Sequence, residues 1–314
     1  MEFLPTLRNL WQKYQIIDTD VLVIGVSGGV DSMVLLDLIT QIHPVEKIMV
    51  THIDHSIRAE SPADAQLVEK ICKKYGTKFE GTRVDIEKIA ENEKISIEMA
   101  GRMVRYSYFE KVRALYQARF ILTAHHQDDS IETILINLIR GTRLRGLSGM
   151  VERQDALLRP LLSFGKAAIL TYARENNIIY NEDSTNEDVE YVRNRVRHEI
   201  LPQMEKINPM IRVTLSNFSE YTRELDSMIE GLLAVHLSGD SIREEDFLKL
   251  PNLLQLSFLE KVYASIHGGT IGLSAGNLEE LRRFILEARG GTIKELGNLR
   301  LEKRERNIKW YGNF

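Results

Sequence analysis

Short apolar runs alternate with segments of helical periodicity through the first half of this 314-residue chain. The run 21–26 (VLVIGV) ends at a glycine-rich turn, and apolar residues then recur at helical spacing over 31–41. Further strands are expected at 47–53, 78–84 and 119–124, and further helices from residue 61 and over about 95–117 and 129–140. Strands that are apolar on both faces are typical of parallel sheets covered by helices. The pattern therefore predicts an α/β fold with a doubly wound parallel sheet, whose ligands bind at the carboxyl ends of the strands.

The second part of the chain follows a different pattern. After Gly141 the sequence becomes rich in loop residues and arginines, and from about residue 207 it turns helical. Pro202 and Pro209 mark a break between the two regions. Because a chain of this length suffices for about two domains, we predict a first domain over 1–205 and a second, smaller and mainly helical domain over 206–314.

The composition is that of an ordinary folded protein, with 43% hydrophobic and 27% charged residues, which excludes collagen, coiled-coil and low-complexity architectures. The single cysteine, Cys72, cannot form an internal disulfide. The first residues show neither a basic leader nor a long apolar run, and no stretch approaches the roughly 20 apolar residues that a membrane span requires. We therefore expect a cytoplasmic protein that does not enter a membrane.

The turn 27–32 (SGGVDS) joins a strand to a helix, so that backbone N–H groups, two hydroxyls and the positive end of the helix dipole face a common point. This is the outline of a phosphate site, although a turn that only caps the helix is the alternative. It matches neither the dinucleotide fingerprint nor the lysine-containing P-loop. Asp31 would repel phosphate unless a Mg²⁺ ion lay between them. The residues expected to bind the nucleotide are Ser27, Gly28, Gly29, Val30, Asp31 and Ser32.

Two more polar segments follow strand ends. The first, 52–58 (HIDHSIR), contains a His-x-x-His pair, but no further histidine or cysteine at metal-binding spacing accompanies it, so a metal site is disfavoured. The second, 123–133 (TAHHQDDSIET), places Asp129 and Glu132 on one helical face. Acidic residues at a helix start often only complement the helix dipole. Two histidines and three carboxylates exceed what capping needs, so we expect a functional role.

Two arginine-containing segments are less specific on their own. Arg102 and Arg105 share one helical face with Glu98, a pattern that a solvated ion-pair stripe also produces. Further along the chain, arginines at positions 193, 195 and 197 cannot all project from one face of a helix.

The hexad S-G-G-x-D-S resembles the nucleotide loop of the ATP pyrophosphatases, or PP-loop enzymes, of adenine nucleotide alpha hydrolase-like fold, which adenylate an oxygen and release pyrophosphate. With the other motifs, in order, it resembles the tRNA(Ile)-lysidine synthases. The motifs that carry this resemblance are SGGVDS, HIDHSIR, E-x-x-x-R-x-x-R-Y, TAHHQDDSIET, Arg140-Gly141 with Gly146-Leu147, RPLL at 159–162, DSTN at 183–186 and YVRNRVRH at 191–198. The resemblance is strong over 18–202 and looser over 203–314. Ser130 stands where the family usually has glutamine, and longer members carry a third domain that this sequence does not reach.

The resemblance implies an enzyme that joins the ε-amine of free L-lysine to C2 of the wobble cytidine, position 34, of the isoleucine tRNA with a CAU anticodon. ATP would adenylate the C2 oxygen, which is otherwise a poor leaving group, and AMP and pyrophosphate would be released. The modified tRNA would read AUA instead of AUG. The implied cofactors are ATP, as a co-substrate, and Mg²⁺.

The resemblance also implies roles for individual residues. The hexad would bind the ATP phosphates, with Asp31 as the Mg²⁺ ligand. Arg105 would neutralise charge on the phosphoryl group, and His125 would lie near the base. Asp129 and Glu132 would hold the ammonium groups of lysine, and one of them would accept the proton lost as the amine becomes a nucleophile.

Basic residues provide candidate contacts with the RNA. Arg193 and Arg197 are expected at phosphates of AMP or tRNA. Residues 281–314 hold nine lysines and arginines against four glutamates, in a chain of net charge −4. We expect this basic segment, with the nearby Trp310 and Tyr311, to contact tRNA, although a solvated surface is the alternative. Its expected contact residues are Arg300, Lys303, Arg304 and Arg306.

Two other functions are compatible with the same fold. A PP-loop enzyme that thiolates tRNA would need paired cysteines for persulfide or cluster chemistry, and Cys72 stands alone. A nucleotide-binding sensor that has lost catalysis would not need Asp31, Asp129 and Glu132. The oligomeric state is left open, with a homodimer as one option.

Overall fold

The computed structural model describes residues 2–54, 61–181, 192–270 and 272–312. Parts of three motifs lie outside these ranges, namely residues 55–58, residues 183–186 and Tyr191. All the individually predicted site residues lie inside them.

The first of two compact units is built around a six-stranded sheet. Its strands are β1 (Leu22–Gly25), β2 (Ile48–Asp54), β3 (Lys78–Arg83), β4 (Phe120–Leu122), β5 (Arg153–Gln154) and β6 (Leu157–Leu158). Its helices are α1 (Phe3–Lys13), α2 (Val30–Thr40), α3 (Ser61–Tyr75), α4 (Ile86–Glu93), α5 (Ile97–Leu115), the start of α6 (Gln127–Ile139), α8 (Lys166–Glu175), α9 (Val192–Arg195) and α10 (Leu201–Ile207). A short 3₁₀ turn covers Val45–Lys47, and a π-helical turn, Val196–Ile200, joins α9 to α10.

The strand order in this sheet is β3-β2-β1-β4-β6-β5. All neighbouring strands are parallel except β5, which pairs antiparallel with β6. The predicted doubly wound parallel sheet is confirmed, and the order of the strands reverses between β1 and β4. Ligands of such sheets bind in the crevice beyond the carboxyl ends of the two strands at the reversal. The loops that leave these two strands are the turn 27–32 and the segment 123–133.

Burial explains why the central elements form. Leu22, Val23 and Ile24 of β1 are fully buried, as expected for a strand covered on both faces. The last residue of β1 is Gly25. A side chain does not fit there, because a Cβ atom would overlap with the ring of Phe109 on α5. Helix α2 buries apolar residues around most of its circumference, so it lies inside the unit rather than on its surface.

The second unit combines helices with a four-stranded antiparallel sheet. Its helices are the end of α6, α7 (Leu144–Leu147), α11 (Ile211–Leu237), α12 (Glu244–Lys249), α13 (Asn252–His267) and α14 (Ala275–Glu287). Its strands, which we call the C-terminal sheet, are β7 (Ser241–Arg243), β8 (Thr292–Leu296), β9 (Leu299–Arg304) and β10 (Asn307–Gly312), in the order β7-β10-β9-β8. Helices predominate as predicted, but the sheet was not expected. Its sequence signal is that apolar residues recur at every second position, at Leu299 and Leu301 in one strand and at Ile308 and Trp310 in the next, and these residues are buried.

The two units divide at positions that differ from the predicted boundary. The first comprises Met1–Thr133 and Met150–Arg212, and the second comprises Ile134–Gly149 and Val213–Phe314. The prediction placed the boundary after residue 205 and the segment 134–149 in the first domain, whereas residues 206–212 belong to the first compact unit and 134–149 to the second. This segment joins the second unit because Leu144 packs against its apolar core. No helix within the described ranges is both long enough and apolar enough to cross a bilayer.

Candidate active site

The turn 27–32 has a shape that its two serines stabilise. Ser32 Oγ donates to the carbonyl oxygen of Gly29 at 2.9 Å and accepts the N–H of Ser27 at 3.1 Å. Ser27 Oγ lies 3.2 Å from Ser32 Oγ and accepts the N–H of Gly29 at 3.4 Å. Because α2 begins at Val30, the first N–H groups of that helix and the positive end of its dipole lie at the turn. The arrangement is suited to an anion.

Gly28 is the position in the turn that requires glycine. Its φ of +94° lies in the left-handed region, and a Cβ atom there would lie 3.4 Å from the Cβ of Asp64. The carbonyl oxygen of Gly28 accepts the N–H of Asn181 at 3.0 Å, and the side-chain amide of Asn181 donates to Asp64 Oδ1 at 2.6 Å. Asp64 and Asn181 therefore support the turn, and neither was predicted as a site residue.

Asp31 lies on the first turn of α2 and forms an ion pair with a residue that was not predicted. Lys166, the first residue of α8, donates from Nζ to Asp31 Oδ1 at 2.5 Å. Both side chains are about one-third exposed, so a ligand in the crevice can reach them. A lysine at a helix start has no distinctive spacing, which is why the sequence pattern did not reveal it. The turn 27–32 contains no basic residue, and Lys166 places a positive charge beside it.

His126 lies buried among three carboxylates. Its Nε2 atom is 3.7 Å from Asp31 Oδ2 and 3.6 Å from Asp129 Oδ2, and its Nδ1 atom is 3.6 Å from Asp128 Oδ2. Asp128 Oδ2 in turn accepts the backbone N–H of Lys166 at 2.7 Å. The imidazole therefore joins the turn 27–32 to the start of α6. Within the described part of the chain, His126 Nδ1 has no hydrogen-bond partner.

Asp129 both caps α6 and faces the crevice. It is the third residue of the helix, and its Oδ2 atom accepts the backbone N–H of His126 at 3.0 Å, as in one half of a capping box. Burial alone would raise the pKa of Asp129, but the neighbouring rings of His126 and His125, this N–H and Arg193 outweigh burial and hold the pKa below its usual range. The carboxylate is therefore ionised at neutral pH. Its Oδ1 atom lies 3.8 Å from Arg197 Nη2.

Glu132 is 1% exposed and is paired with two arginines. Arg197 binds it in bidentate fashion, from Nε to Oε1 at 2.6 Å and from Nη2 to Oε2 at 3.0 Å. Arg193 Nε lies 3.2 Å from Oε2, and its Nη2 donates to Thr133 Oγ1 at 3.0 Å. Arg195 is exposed and points elsewhere, as the predicted helical geometry requires. Both oxygens of Glu132 are therefore engaged by guanidinium groups, which differs from the expected contact with a lysine substrate.

The charges of four arginines act on His125 or on one another. We call them the arginine cluster, and they are Arg102, Arg105, Arg159 and Arg193. Arg159 is 5% exposed, and burial lowers its pKa, an effect that a hydrogen bond with Tyr106 opposes and the charge of Arg102 reinforces. Its Nε atom has no hydrogen-bond partner among the described residues. Positive charges that are gathered in this way attract an anion, so the cluster is a candidate phosphate site.

His125 has a neutral side chain at pH 7. Burial lowers its pKa to about 4, Asp129 opposes this effect, and the charges of Arg159, Arg193 and Arg102 reinforce it. Its Nδ1 atom lies within hydrogen-bond distance of Thr123 Oγ1, at 2.8 Å. A neutral imidazole forms hydrogen bonds but is not a general acid at neutral pH. We therefore expect His125 to act through hydrogen bonds and not as a general acid.

The carboxylates of the crevice fit a magnesium ion that is shared with a nucleotide. Asp31 and Asp129 each place one oxygen within 3.7 Å of the same nitrogen of His126, so two hard oxygen donors lie near each other. The described ranges contain no group of three or more His, Cys, Asp or Glu side chains able to hold a metal by themselves. Mg²⁺ usually binds through one or two carboxylates together with substrate phosphates and water, and this donor set suits that mode.

The predicted residues of the first domain thus converge on the strand reversal. The turn 27–32, His125, Asp129 and Glu132 lie on the two loops that leave β1 and β4, and Arg193 and Arg197 reach them from the helical segment after residue 191. The charge of Arg193 also acts on the guanidinium group of Arg105, which links Arg105 to these residues. The site residues that were not singled out individually are Asp64, Arg102, His126, Asp128, Arg159, Lys166 and Asn181. Of these, Arg102, His126, Asp128 and Arg159 lie within the motifs that the sequence analysis identified.

In the second unit, two predicted RNA contacts are part of the interior. Lys303 is 5% exposed, donates to the carbonyl oxygen of Ile285 at 2.8 Å and pairs with Glu244 at 2.7 Å. Trp310 is 6% exposed, and its ring lies 5.3 Å from that of Phe258, edge to face. The prediction that Lys303 and Trp310 contact RNA is therefore corrected, because both side chains face the apolar core of the unit.

The three other basic residues predicted in this segment lie on the surface. Arg300 pairs with Glu295, and Arg304 pairs with Glu302 at 2.6 Å. Arg306 is exposed in the turn between β9 and β10. Contact of these three arginines with RNA stays a prediction.

Comparisons with known proteins identify the family of this chain. The PP-loop domain family matches residues 5–204. A tRNA(Ile)-lysidine synthase from Bacteroides thetaiotaomicron is 37% identical over 221 residues, which are 70% of this chain and 51% of that protein. A tRNA(Ile)-lysidine synthase from Petrotoga mobilis is 30% identical over 309 residues, which are 96% of this chain and 93% of that protein. The chain therefore spans about half the length of the first relative and nearly all of the second.

Among solved structures, the U34-tRNA thiolase NcsA from Methanococcus maripaludis, with its [4Fe-4S] cluster, aligns with a TM-score of 0.58. The alignment covers 70% of this chain and 79% of the thiolase at 17% identity, so it shows a shared fold. The family match over most of the first unit and the nearly full-length match to the Petrotoga protein show that the chain belongs to the PP-loop family and, within it, to the tRNA(Ile)-lysidine synthases.

Proposed function

We propose that this protein joins the ε-amine of L-lysine to C2 of cytidine 34 in the isoleucine tRNA with a CAU anticodon, at the expense of ATP. One observation carries the proposal: His126 Nε2 lies 3.7 Å from Asp31 and 3.6 Å from Asp129. Asp31 belongs to the turn 27–32, which we call the nucleotide turn, and Asp129 lies at the start of α6. ATP activates the oxygen that is bonded to C2 and the amine attacks C2 itself, so the groups that serve the two steps must lie together. The names of the relatives support a tRNA substrate.

The first step requires positive charge beside the phosphates. The C2 oxygen of cytidine attacks the α-phosphorus of ATP, an O–P bond forms, and pyrophosphate leaves. We assign the binding of the phosphates to the N–H groups of the turn 27–32 and to the ammonium of Lys166. We assign the neutralisation of charge on the phosphoryl group to Arg105 and its neighbours in the arginine cluster. Mg²⁺ held by Asp31 would supply further charge neutralisation.

The second step requires an uncharged amine. The ε-ammonium of lysine must lose a proton before its nitrogen can attack C2, where a C–N bond forms as the C–O bond to AMP breaks. Asp129 is ionised and close to the nucleotide turn. We therefore assign to Asp129 the binding of the lysine ε-ammonium and the acceptance of its proton. Glu132 is already paired, and we assign it the positioning of Arg193 and Arg197 for a phosphate of AMP or tRNA.

Sulfur transfer to tRNA is less well supported by the residues present. Cys72 is the single cysteine, is 1% exposed within the apolar core of the first unit, and has a thiol whose pKa is raised by burial. A buried, protonated thiol is a poor nucleophile and a poor cluster ligand. A nucleotide sensor without chemistry is disfavoured because the ionised Asp129 lies beside the nucleotide turn.

The test measures pyrophosphate release and the incorporation of labelled lysine into tRNA. Purified full-length chain is incubated with ATP, Mg²⁺, labelled L-lysine and a transcript of the isoleucine tRNA. We expect lysine in the RNA fraction, with pyrophosphate in equal amount. A matched transcript that carries uridine at position 34 should incorporate none. Pyrophosphate release that is independent of lysine and of cytidine 34 would contradict the proposal.

A further inference from the structure

The turn that ends α6 in the second unit carries three arginines. The segment 134–149 contains Arg140, Arg143 and Arg145 and no acidic residue. Arg140 and Arg145 are exposed, and Arg143 is half-buried. Among the described residues, none forms a hydrogen bond or an ion pair with these three guanidinium groups. We call residues 140–145 the α6–α7 turn.

Backbone hydrogen bonds fix the shape of the α6–α7 turn. Gly141 has a φ of +76°, and its N–H donates to the carbonyl oxygen of Leu138 at 3.0 Å. The N–H of Thr142 donates to the carbonyl oxygen of Asn137 at 3.0 Å, which completes a Schellman motif. The side-chain amide of Asn137 donates to the carbonyl oxygen of Gly146 at 2.8 Å. The arginines therefore extend from an ordered backbone, which reduces the entropy lost when they bind a ligand.

The α6–α7 turn is also attached to the body of the second unit. Arg223 of α11 donates from Nη2 to the carbonyl oxygen of Ser148 at 3.0 Å, just beyond the turn. Glu260 of α13 is the acidic group that interacts electrostatically with Arg145 and Arg143. Burial raises the pKa of Glu260, and the two arginines oppose that effect. Glu260 is half-buried and forms no direct ion pair with either arginine, so both guanidinium groups stay open to a ligand.

The C-terminal sheet offers the opposite arrangement. Arg300, Lys303 and Arg304 each pair with a glutamate, and the ammonium of Lys303 is buried as well. Within the described part of the chain, six of the nine basic residues of 281–314 therefore have an acid next to them in space. A polyanion is attracted to positive charge that is not already neutralised.

We propose that the α6–α7 turn is the surface with which the second unit binds the phosphate backbone of its RNA substrate, through Arg140, Arg143 and Arg145. The identity of the RNA rests on the proposed function. Arginine at the end of a helix also complements the helix dipole, which accounts for Arg140 but not for Arg143 and Arg145. Contacts of this kind position an RNA without reading its sequence. The guanidinium fork matches a phosphate in geometry as well as in charge.

The test compares tRNA binding by the full chain across a salt series. The variant Arg140→Gln/Arg143→Gln/Arg145→Gln is compared with Arg300→Gln/Arg304→Gln/Arg306→Gln, which removes the same charge from the C-terminal sheet. The probe is the isoleucine tRNA transcript with a CAU anticodon. We expect the first variant to bind about 10- to 100-fold more weakly at physiological salt, with a salt slope smaller by about 2 to 3. The second should change affinity by less than about 3-fold.

Identical salt slopes for the wild type and the α6–α7 variant would overturn the proposal, and so would a larger loss in the C-terminal control. If the triple variant loses its near-ultraviolet circular dichroism, the single variant Arg145→Gln decides, with an expected decrease in slope of about 0.7 to 0.9. The proposed function fails separately. If the triple variant binds tRNA more weakly but the wild type incorporates no lysine, the proposed RNA-binding surface is supported and the proposed reaction is contradicted.

Discussion

At the strand reversal of the first unit, charged side chains converge from several segments of the chain, whereas in the C-terminal sheet of the second unit they are matched to close neighbours. Glu132 is 1% exposed between Arg193 and Arg197. Arg304, by contrast, has a side chain that is 70% exposed and pairs with Glu302 on its own strand. The number of charges in a segment therefore does not locate a site for an anion. What locates it is whether those charges already have partners.

The two arrangements also differ in what they cost. Gathering arginines beside one another and burying carboxylates lowers stability, and such arrangements are found mainly where a ligand or a reaction uses them. Exposed ion pairs on a sheet each contribute about 0 to 1 kcal/mol and require no ligand. Substitutions at the strand reversal should therefore affect chemistry or the fold strongly, and substitutions on the C-terminal sheet should matter only where the side chain is buried.

The largest effect is expected for Asp31→Ala. Loss of this carboxylate removes the partner of Lys166 and the proposed magnesium ligand, so pyrophosphate release should fall by a factor of at least about 100. Asp85→Ala, which removes the N-cap of α4, is the matched control and should lower stability by about 1 kcal/mol without changing turnover. Normal pyrophosphate release by folded Asp31→Ala would refute the proposed role of the nucleotide turn.

The next largest effect is expected for Glu132→Gln. This change leaves Arg193 and Arg197 without their buried counter-charge, and we expect a loss of about 3 to 5 kcal/mol in stability. Asp129→Asn keeps a side-chain oxygen for the N–H of His126 and should lower stability less while reducing the use of lysine more. Urea unfolding and lysine titrations of the two variants check this. Equal losses of stability would show that the two carboxylates are not divided between structure and chemistry.

A smaller effect concerns pH. Because burial lowers the pKa of His125 to about 4 from the ordinary value of 6.5, the unfolded chain binds a proton between these pH values and the folded chain does not. The contribution of His125 to stability is therefore complete above about pH 6.5 and is lost as the pH falls toward 4, by at most about 3 kcal/mol. His125→Gln should flatten this part of the stability profile, as measured by thermal unfolding in a pH series. An unchanged profile would show that the ring is protonated in the folded protein.

The smallest effect separates two basic residues of the C-terminal sheet. Lys303→Met removes a buried ammonium from the carbonyl oxygen of Ile285 and from Glu244, so stability should fall by about 2 kcal/mol. Arg306→Met, at an exposed position, should change stability by less than about 0.5 kcal/mol. Thermal unfolding of the two variants measures the difference. Similar values would contradict the distinction between buried and exposed charges in this sheet.

Much of the site was predictable because its motifs are local. The turn 27–32 and the segment 123–133 each follow a strand of the same parallel sheet, so their meeting follows from the fold class alone. Lys166 and Asn181 were not predictable in this way. They lie more than 130 residues from the turn in sequence, and their short surroundings have no distinctive pattern, so only the packed chain shows that they contact Asp31 and Gly28.

In the second unit, too, the sequence does not reveal which charged residues pair with one another. Residues 281–314 are basic as a segment, but Lys303 and Lys309 find their acidic partners, Glu244 and Asp240, in an earlier segment. A charge balance taken over neighbouring residues cannot include such partners. The three arginines of 140–145 contribute less charge in total and yet form no hydrogen bond or ion pair with the described residues, although Glu260 acts electrostatically on Arg143 and Arg145.

The sequence by itself determined the doubly wound sheet, the nucleotide turn and the acidic segment after β4, because strand periodicity and turn chemistry depend on residues that are close along the chain. The tertiary structure alone decided that Glu132 holds arginines, that Lys166 pairs with Asp31 and that Lys303 is buried. The physical reason is that ion pairing and burial depend on distances in space, which a chain folded over several layers sets between residues far apart in sequence.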